Sequence, residues 1–167
     1  LKPENIMVDG DGRLKLIDLG GANAAGLQEL LRYQDSAPPG SKNYCAPEYF
    51  MGDAASHRSD IFSLGVIAYE LLTGHYPYKE RFGSSHYHLK SYANMRYLSA
   101  RRHRDDLPEW IDGALRHACA PDPKKRYAAL SEFVHDLSTP NRKFINTEKP
   151  PLMERNPLLF WQVVAAL

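Results

Sequence analysis

The chain has 167 residues, 43% of them hydrophobic and 25% charged, and 21 Lys and Arg against 20 Asp and Glu leave a formal charge of +1. That is one domain's length with enough apolar material for a real core, and the charge is too balanced to imply nucleic acid or an acidic membrane surface as partner. Two cysteines, Cys45 and Cys119, are too few for a disulfide framework and match no zinc spacing, which favours a reducing, cytoplasmic setting.

The chain opens on Leu1-Lys2-Pro3-Glu4-Asn5 with neither an initiator Met nor a signal peptide, so it reads as a piece of a longer protein. Ile6–Asp9 and Arg13–Asp18 are short strand-like runs, and Gly10-Asp11-Gly12 between them supplies the turn of a β-hairpin. Residues 19–45 are rich in Gly and Pro and lack periodicity, which predicts a long functional loop. From 58 to 73 the pattern is helical. Ile61, Leu64, Gly65, Ala68, Leu71 and Leu72 recur at three and four, while Phe62, Val66 and Ile67 fill most of the other face. A helix apolar nearly all round is buried, and Gly74 and Pro77 end it.

Residues 79–106 are polar and predict a short helix with a solvated loop. Pro108–Cys119 is an amphipathic helix with Trp110, Ile111, Ala114, Leu115 and Ala118 on one face, broken by Pro121-Asp122-Pro123. Tyr127–Leu137 is the last helix, with Leu130, Phe133, Val134 and Leu137 expected inward. Residues 139–157 hold several prolines and read as an extended tail or linker. Residues 158–167 are apolar but only half the length of a membrane span. Two readings of that run stay open: a last helix packing on the domain, or the first half of a transmembrane helix. The fold class expected is mainly α with one small β-hairpin.

Chemistry concentrates at the hairpin. A hairpin returns the chain close to where it left, which would bring Asn5 and Asp18 face to face. Such oxygen ligands suit Mg²⁺, which takes one or two protein carboxylates together with waters and phosphate oxygens. Lys2 beside them is a point charge for phosphate. On the residues alone the signal is weak, since a hairpin Asp and Asn are more often turn formers than ligands.

Five motifs in order resolve this. Leu1-Lys2-Pro3-Glu4-Asn5 resembles the latter part of the protein kinase catalytic loop H-R-D-L-x-x-x-N, and Ile17-Asp18-Leu19-Gly20 resembles D-F-G, with Leu19 where Phe is usual. Tyr44-Cys45-Ala46-Pro47-Glu48 resembles A-P-E. Ser59-Asp60-Ile61-Phe62-Ser63-Leu64-Gly65-Val66 resembles the segment opening the large central kinase helix, and Pro121–Tyr127 resembles the P-x-x-R stretch between the last two helices. The chain is identified as a member of the eukaryotic-type serine/threonine protein kinases. Residues 1–138 would be the C-terminal lobe without its N-terminal lobe, 139–157 an extended tail or linker, and 158–167 the apolar segment whose two readings stay open.

The resemblance implies roles. Asn5 and Asp18 would hold the Mg²⁺ ions that bridge the ATP phosphates, and Lys2 would steady the transferred group. Ser41 would bridge Lys2 and the catalytic Asp. Glu48 and Arg126 would form a buried ion pair pinning the activation segment, and Asp60 would accept hydrogen bonds from the catalytic-loop backbone. The catalytic Asp would immediately precede Leu1, so this chain alone is expected to be inactive. ATP and a protein Ser/Thr hydroxyl are the substrates implied, with no nucleic acid. Ala46–Phe50, Leu130–Leu137 and Asn156–Trp161 further resemble bacterial bifunctional proteins joining a protein phosphatase 2C-type domain to a kinase, with a cytoplasmic kinase tethered by a hydrophobic C-terminus. The competing function is a pseudokinase-type scaffold that binds protein partners.

Overall fold

The computed structural model describes residues 1–17, 41–51, 54, 56–78, 95–145 and 161–162. Its elements include a two-stranded antiparallel hairpin, β1 (Ile6–Val8) and β2 (Leu14–Leu16), and the helices α1 (Pro47–Met51), α2 (His57–Thr73), α3 (Glu109–Ala118) and α4 (Leu130–Ser138). Short 3₁₀ turns at Pro3–Asn5, Ser41–Tyr44, Ala100–Arg102 and Pro123–Lys125 join them. The fold is mainly helical with one small hairpin.

The hairpin register pairs Ile6 with Leu16 and Val8 with Leu14. Its turn is built by Asp9, whose carboxylate accepts the backbone N–H groups of Asp11 (3.1 Å) and Arg13 (2.9 Å). This is the local side-chain bonding that makes Asp a turn former. Ile6 packs against the core, while Met7, Val8, Leu14 and Leu16 stay exposed.

α2 is the central element. Ser56 caps it, accepting from the Arg58 N–H, and the Ser59 hydroxyl returns to the Ser56 N–H at 3.1 Å. Gly74 ends it in the left-handed conformation (φ 72°), which only glycine adopts at little cost. Ile61, Phe62, Ser63, Gly65, Val66, Ile67 and Tyr69 are all buried, as a helix apolar on most faces requires. One side of α2 packs Phe62, Val66 and Ile67 with Tyr44, Ala46, Tyr78, Met95 and Cys119. The other packs Ile61 and Tyr69 with Ala100, Leu107, Ala114, Leu115, Tyr127 and Phe133. The axes of α2 and α3 approach closely at Gly65: a Cβ there would lie 2.9 Å from both Ala118 Cβ and Cys119 Sγ.

Two expectations for the last helix need correction. In α4, Leu130 and Val134 do not face inward but are 46% and 53% exposed. The inward positions belong to Phe133 and to Asp136, a carboxylate that apolar patterning passes over. Asp136 is admitted because Tyr127 Oη (2.9 Å) and Asn141 Nδ2 (3.1 Å) both donate to it. The helix also begins three residues later than Tyr127. Glu132 reaches back to the N–H groups of Ala128 and Ala129, which sets its start. Beyond α4 the chain turns back, and Phe144 packs on the second cluster with its ring edge-on to His117. Of the apolar end, only Trp161 and Gln162 are described, and no described helix is long and apolar enough to cross a membrane.

Candidate active site

Asn5 closes the 3₁₀ turn begun by Pro3, a residue pre-set for a first helical position. From there it grips the far strand twice. Its backbone carbonyl accepts the Ile17 N–H at 2.8 Å, and its Nδ2 donates to the Ile17 carbonyl at 3.0 Å. Because the amide nitrogen is committed to a carbonyl, the other end of the side chain is identified as oxygen. Asn5 is thus locked beside the residue preceding Asp18. Asp18 itself, the long loop after it and the side chain of Ser41 lie outside the described residues. Lys2 sits at the entry to the same turn, in extended backbone. An amide oxygen held beside Ile17, one residue before Asp18 in the sequence, is the kind of oxygen donor that Mg²⁺ accepts.

The segment closing the long loop is fastened to α2 by polar bonds inside an apolar surround. Ser63 Oγ donates to the Tyr44 carbonyl at 2.8 Å. Tyr44 Oη donates to Glu70 Oε2 at 2.6 Å and lies 3.3 Å from Tyr76 Oη, their rings edge to face. Burial first, and then the Glu70 hydrogen bond, push the Tyr44 hydroxyl well above the ordinary tyrosine range, so it stays a donor. Ser59 Oγ donates to Glu48 Oε1 at 2.7 Å.

Glu48 and Arg126, 2% and 3% exposed, form a bidentate fork with both N–H···O distances at 2.7 Å. The remaining guanidinium donors go to the carbonyls of Ala120 (2.6 Å), Arg58 (3.0 Å) and Pro121 (2.8 Å). All five N–H groups of Arg126 are therefore satisfied, and its plane also lies 4.8 Å over the Phe62 ring. Burial pushes the Glu48 carboxyl up, but the Arg126 fork and the Ser59 hydroxyl outweigh it and hold the group below the usual range. The expected ion pair is present.

Asp60 is exposed in the first turn of α2, near the helix N-terminus where negative charge is favoured. Sequence reasoning missed Ser59, Ser63 and Glu70. The available signal was Ser59 and Ser63 one turn apart on a helix otherwise apolar enough to be buried: buried hydroxyls at that spacing must have partners.

A protein kinase domain model matches residues 1–137. The serine/threonine-protein kinase PrkC of Bacillus subtilis is 31% identical over 141 residues, covering 83% of this chain and 21% of that protein. The serine/threonine-protein kinase PknB of Mycolicibacterium smegmatis is 34% identical over 140 residues, covering 82% and 22%. The crystal structure of the Mycobacterium tuberculosis PknI kinase domain superposes with a TM-score of 0.56 at 24% identity, covering 83% of this chain and 44% of that one. The chain spans about a fifth of the length of the curated relatives it matches. With the hairpin, the central α2 and the Glu48–Arg126 fork in place, the chain belongs to the protein kinase domain family.

Proposed function

We propose that this chain is the catalytic-cleft floor and substrate-side lobe of a serine/threonine protein kinase, working within a longer protein that moves the γ-phosphate of ATP to protein Ser and Thr hydroxyls. The observation that carries the reading is the double grip of Asn5 on Ile17, the residue that precedes Asp18 in the sequence. Mg²⁺, when bound, neutralises the phosphate charge that develops during transfer. Asn5 and Asp18 would hold it. Lys2 would place a fixed positive charge beside the transferred group, and the Ser41 hydroxyl would orient Lys2.

Phosphoryl transfer asks mostly for positioning, and the 44–48 segment is held by Ser59, Ser63 and Glu70 of α2 and by the Arg126 fork from the loop before α4. The exposed apolar side chains of the hairpin, Met7 among them, suit one wall of a nucleotide cleft whose other wall lies elsewhere. Residues 158–167 would begin a tether to the membrane, leaving the lobe on the cytoplasmic side. Calorimetry with Mg-ATP tests the half-cleft: the isolated 167-residue chain is expected to bind only weakly, and micromolar affinity contradicts that reading. Phosphate transfer to a generic basic protein by the full-length protein tests the activity itself.

A further inference from the structure

Directly after the left-handed Gly74, His75 lays its ring flat on that of His103, with centroids 3.9 Å apart and planes 11° from parallel. Thr73 holds His75 in place. The His75 N–H donates to Thr73 Oγ1 at 3.1 Å, and His75 Nδ1 lies 2.8 Å from the Thr73 carbonyl. A carbonyl only accepts, so Nδ1 carries the proton in this contact. His103 closes the Ala100–Arg102 turn, with its N–H on the Ala100 carbonyl and its ring edge-on to buried Tyr69. The stack therefore joins the C-terminal end of α2 to the 100–107 segment. Its companion tie is Arg104 Nη1 on the Leu72 carbonyl at 3.3 Å.

Among the described residues, the carboxylates around the pair already have other partners. Asp106 is engaged by the Arg104 fork at 2.6 and 2.9 Å, Glu109 by Arg101 at 2.9 Å, and Glu70 by Tyr44. Asp112 is taken by Tyr97, Ser99 and the Ala100 N–H. Asp105 bonds neither ring among the described residues, and Arg102 adds positive charge. Two imidazolium ions stacked at about 4 Å repel each other even in water. We propose that the His75–His103 stack is an acid-sensitive latch that holds the end of α2 to the 100–107 segment while at most one ring is charged, and opens when both are. Burial, then His75, then Arg102 hold His103 below the ordinary histidine range. A depressed group of this kind contributes stability above its unfolded-state pKa, and that contribution is lost as the pH falls.

The test is a proton NMR titration of the imidazole rings in the 167-residue chain from pH 8 to pH 4.5. Ring-to-ring Overhauser contacts between His75 and His103 are expected at pH 7.5 and absent at pH 5. In His75→Gln, the His103 midpoint should rise by roughly half a unit to one unit. Wild type should also lose more melting temperature than His75→Gln between pH 7.5 and pH 5. An unchanged His103 midpoint in the variant overturns the latch. If the variant does not fold, the wild-type contacts decide: their persistence at pH 5 overturns it as well.

Discussion

Arg126 Nη1 and Nη2 donate in parallel to Glu48 Oε1 and Oε2, each at 2.7 Å, and the pair is all but closed to solvent. The two residues are 78 positions apart, so this fork staples the end of the activation segment to the loop before α4. A buried ion pair holds its place only because every remaining donor also has a partner, which for Arg126 means three carbonyls.

Removing one partner should therefore be far worse than removing both. Arg126→Met is expected to cost about 3–5 kcal/mol, because it strands the Glu48 carboxylate in an apolar surround. Adding Glu48→Leu to it should recover part of that loss. Urea unfolding of the two proteins measures this. A double variant no more stable than Arg126→Met contradicts the account.

The same fork sets an acid limit. Glu48 has a folded-state pKa below its ordinary value of 4.5, so its contribution is complete above that value and disappears as the pH falls through the folded value. Glu48→Gln should be less stable than wild type at pH 7, with the gap narrowing below about pH 4. Urea midpoints across pH 3–7 check the sign.

Tyr69 gives a prediction of the opposite direction. Its side chain is fully buried, and its hydroxyl has no hydrogen-bond partner among the described residues. A buried orphan hydroxyl is a cost, of about 1–3 kcal/mol when fully desolvated. Tyr69→Phe should leave the melting temperature unchanged or raise it, and a clear loss would show that the hydroxyl has a partner after all.

Gly65 marks where α2 and α3 come closest. A methyl group there would meet Ala118 Cβ and Cys119 Sγ at 2.9 Å, and neither neighbour has a flexible end to move aside. Gly65→Ala is expected to destabilise by about 1–3 kcal/mol through overpacking, despite alanine's better helix propensity. Thermal melting decides which effect wins.

The elements that local chemistry dictates were legible from the residues. The hairpin follows from the turn residues at 9–12, and α2 from its apolar run between Ser56 and Gly74. The Glu48–Arg126 pair was readable only through motif resemblance, since no local pattern joins residues so far apart in sequence. Leu130 and Val134 misled because periodicity cannot tell that an inward position is filled by Asp136, whose partners Tyr127 and Asn141 come from outside the helix. Glu70 went unnoticed because a carboxylate late in a helix looks like an ordinary solvated charge until Tyr44 is placed against it.

The most direct test of the central claim is phosphate transfer by the full-length protein carrying Asp18→Asn, read together with its melting temperature. The substitution is nearly isosteric but removes the carboxylate expected to anchor the metal. Transfer to a generic basic protein should fall roughly a hundredfold or more, with melting unchanged. A variant that transfers phosphate at close to the wild-type rate would contradict the assignment of Asp18 and Asn5 as the metal-holding pair, and with it the reading of this lobe as a working kinase site.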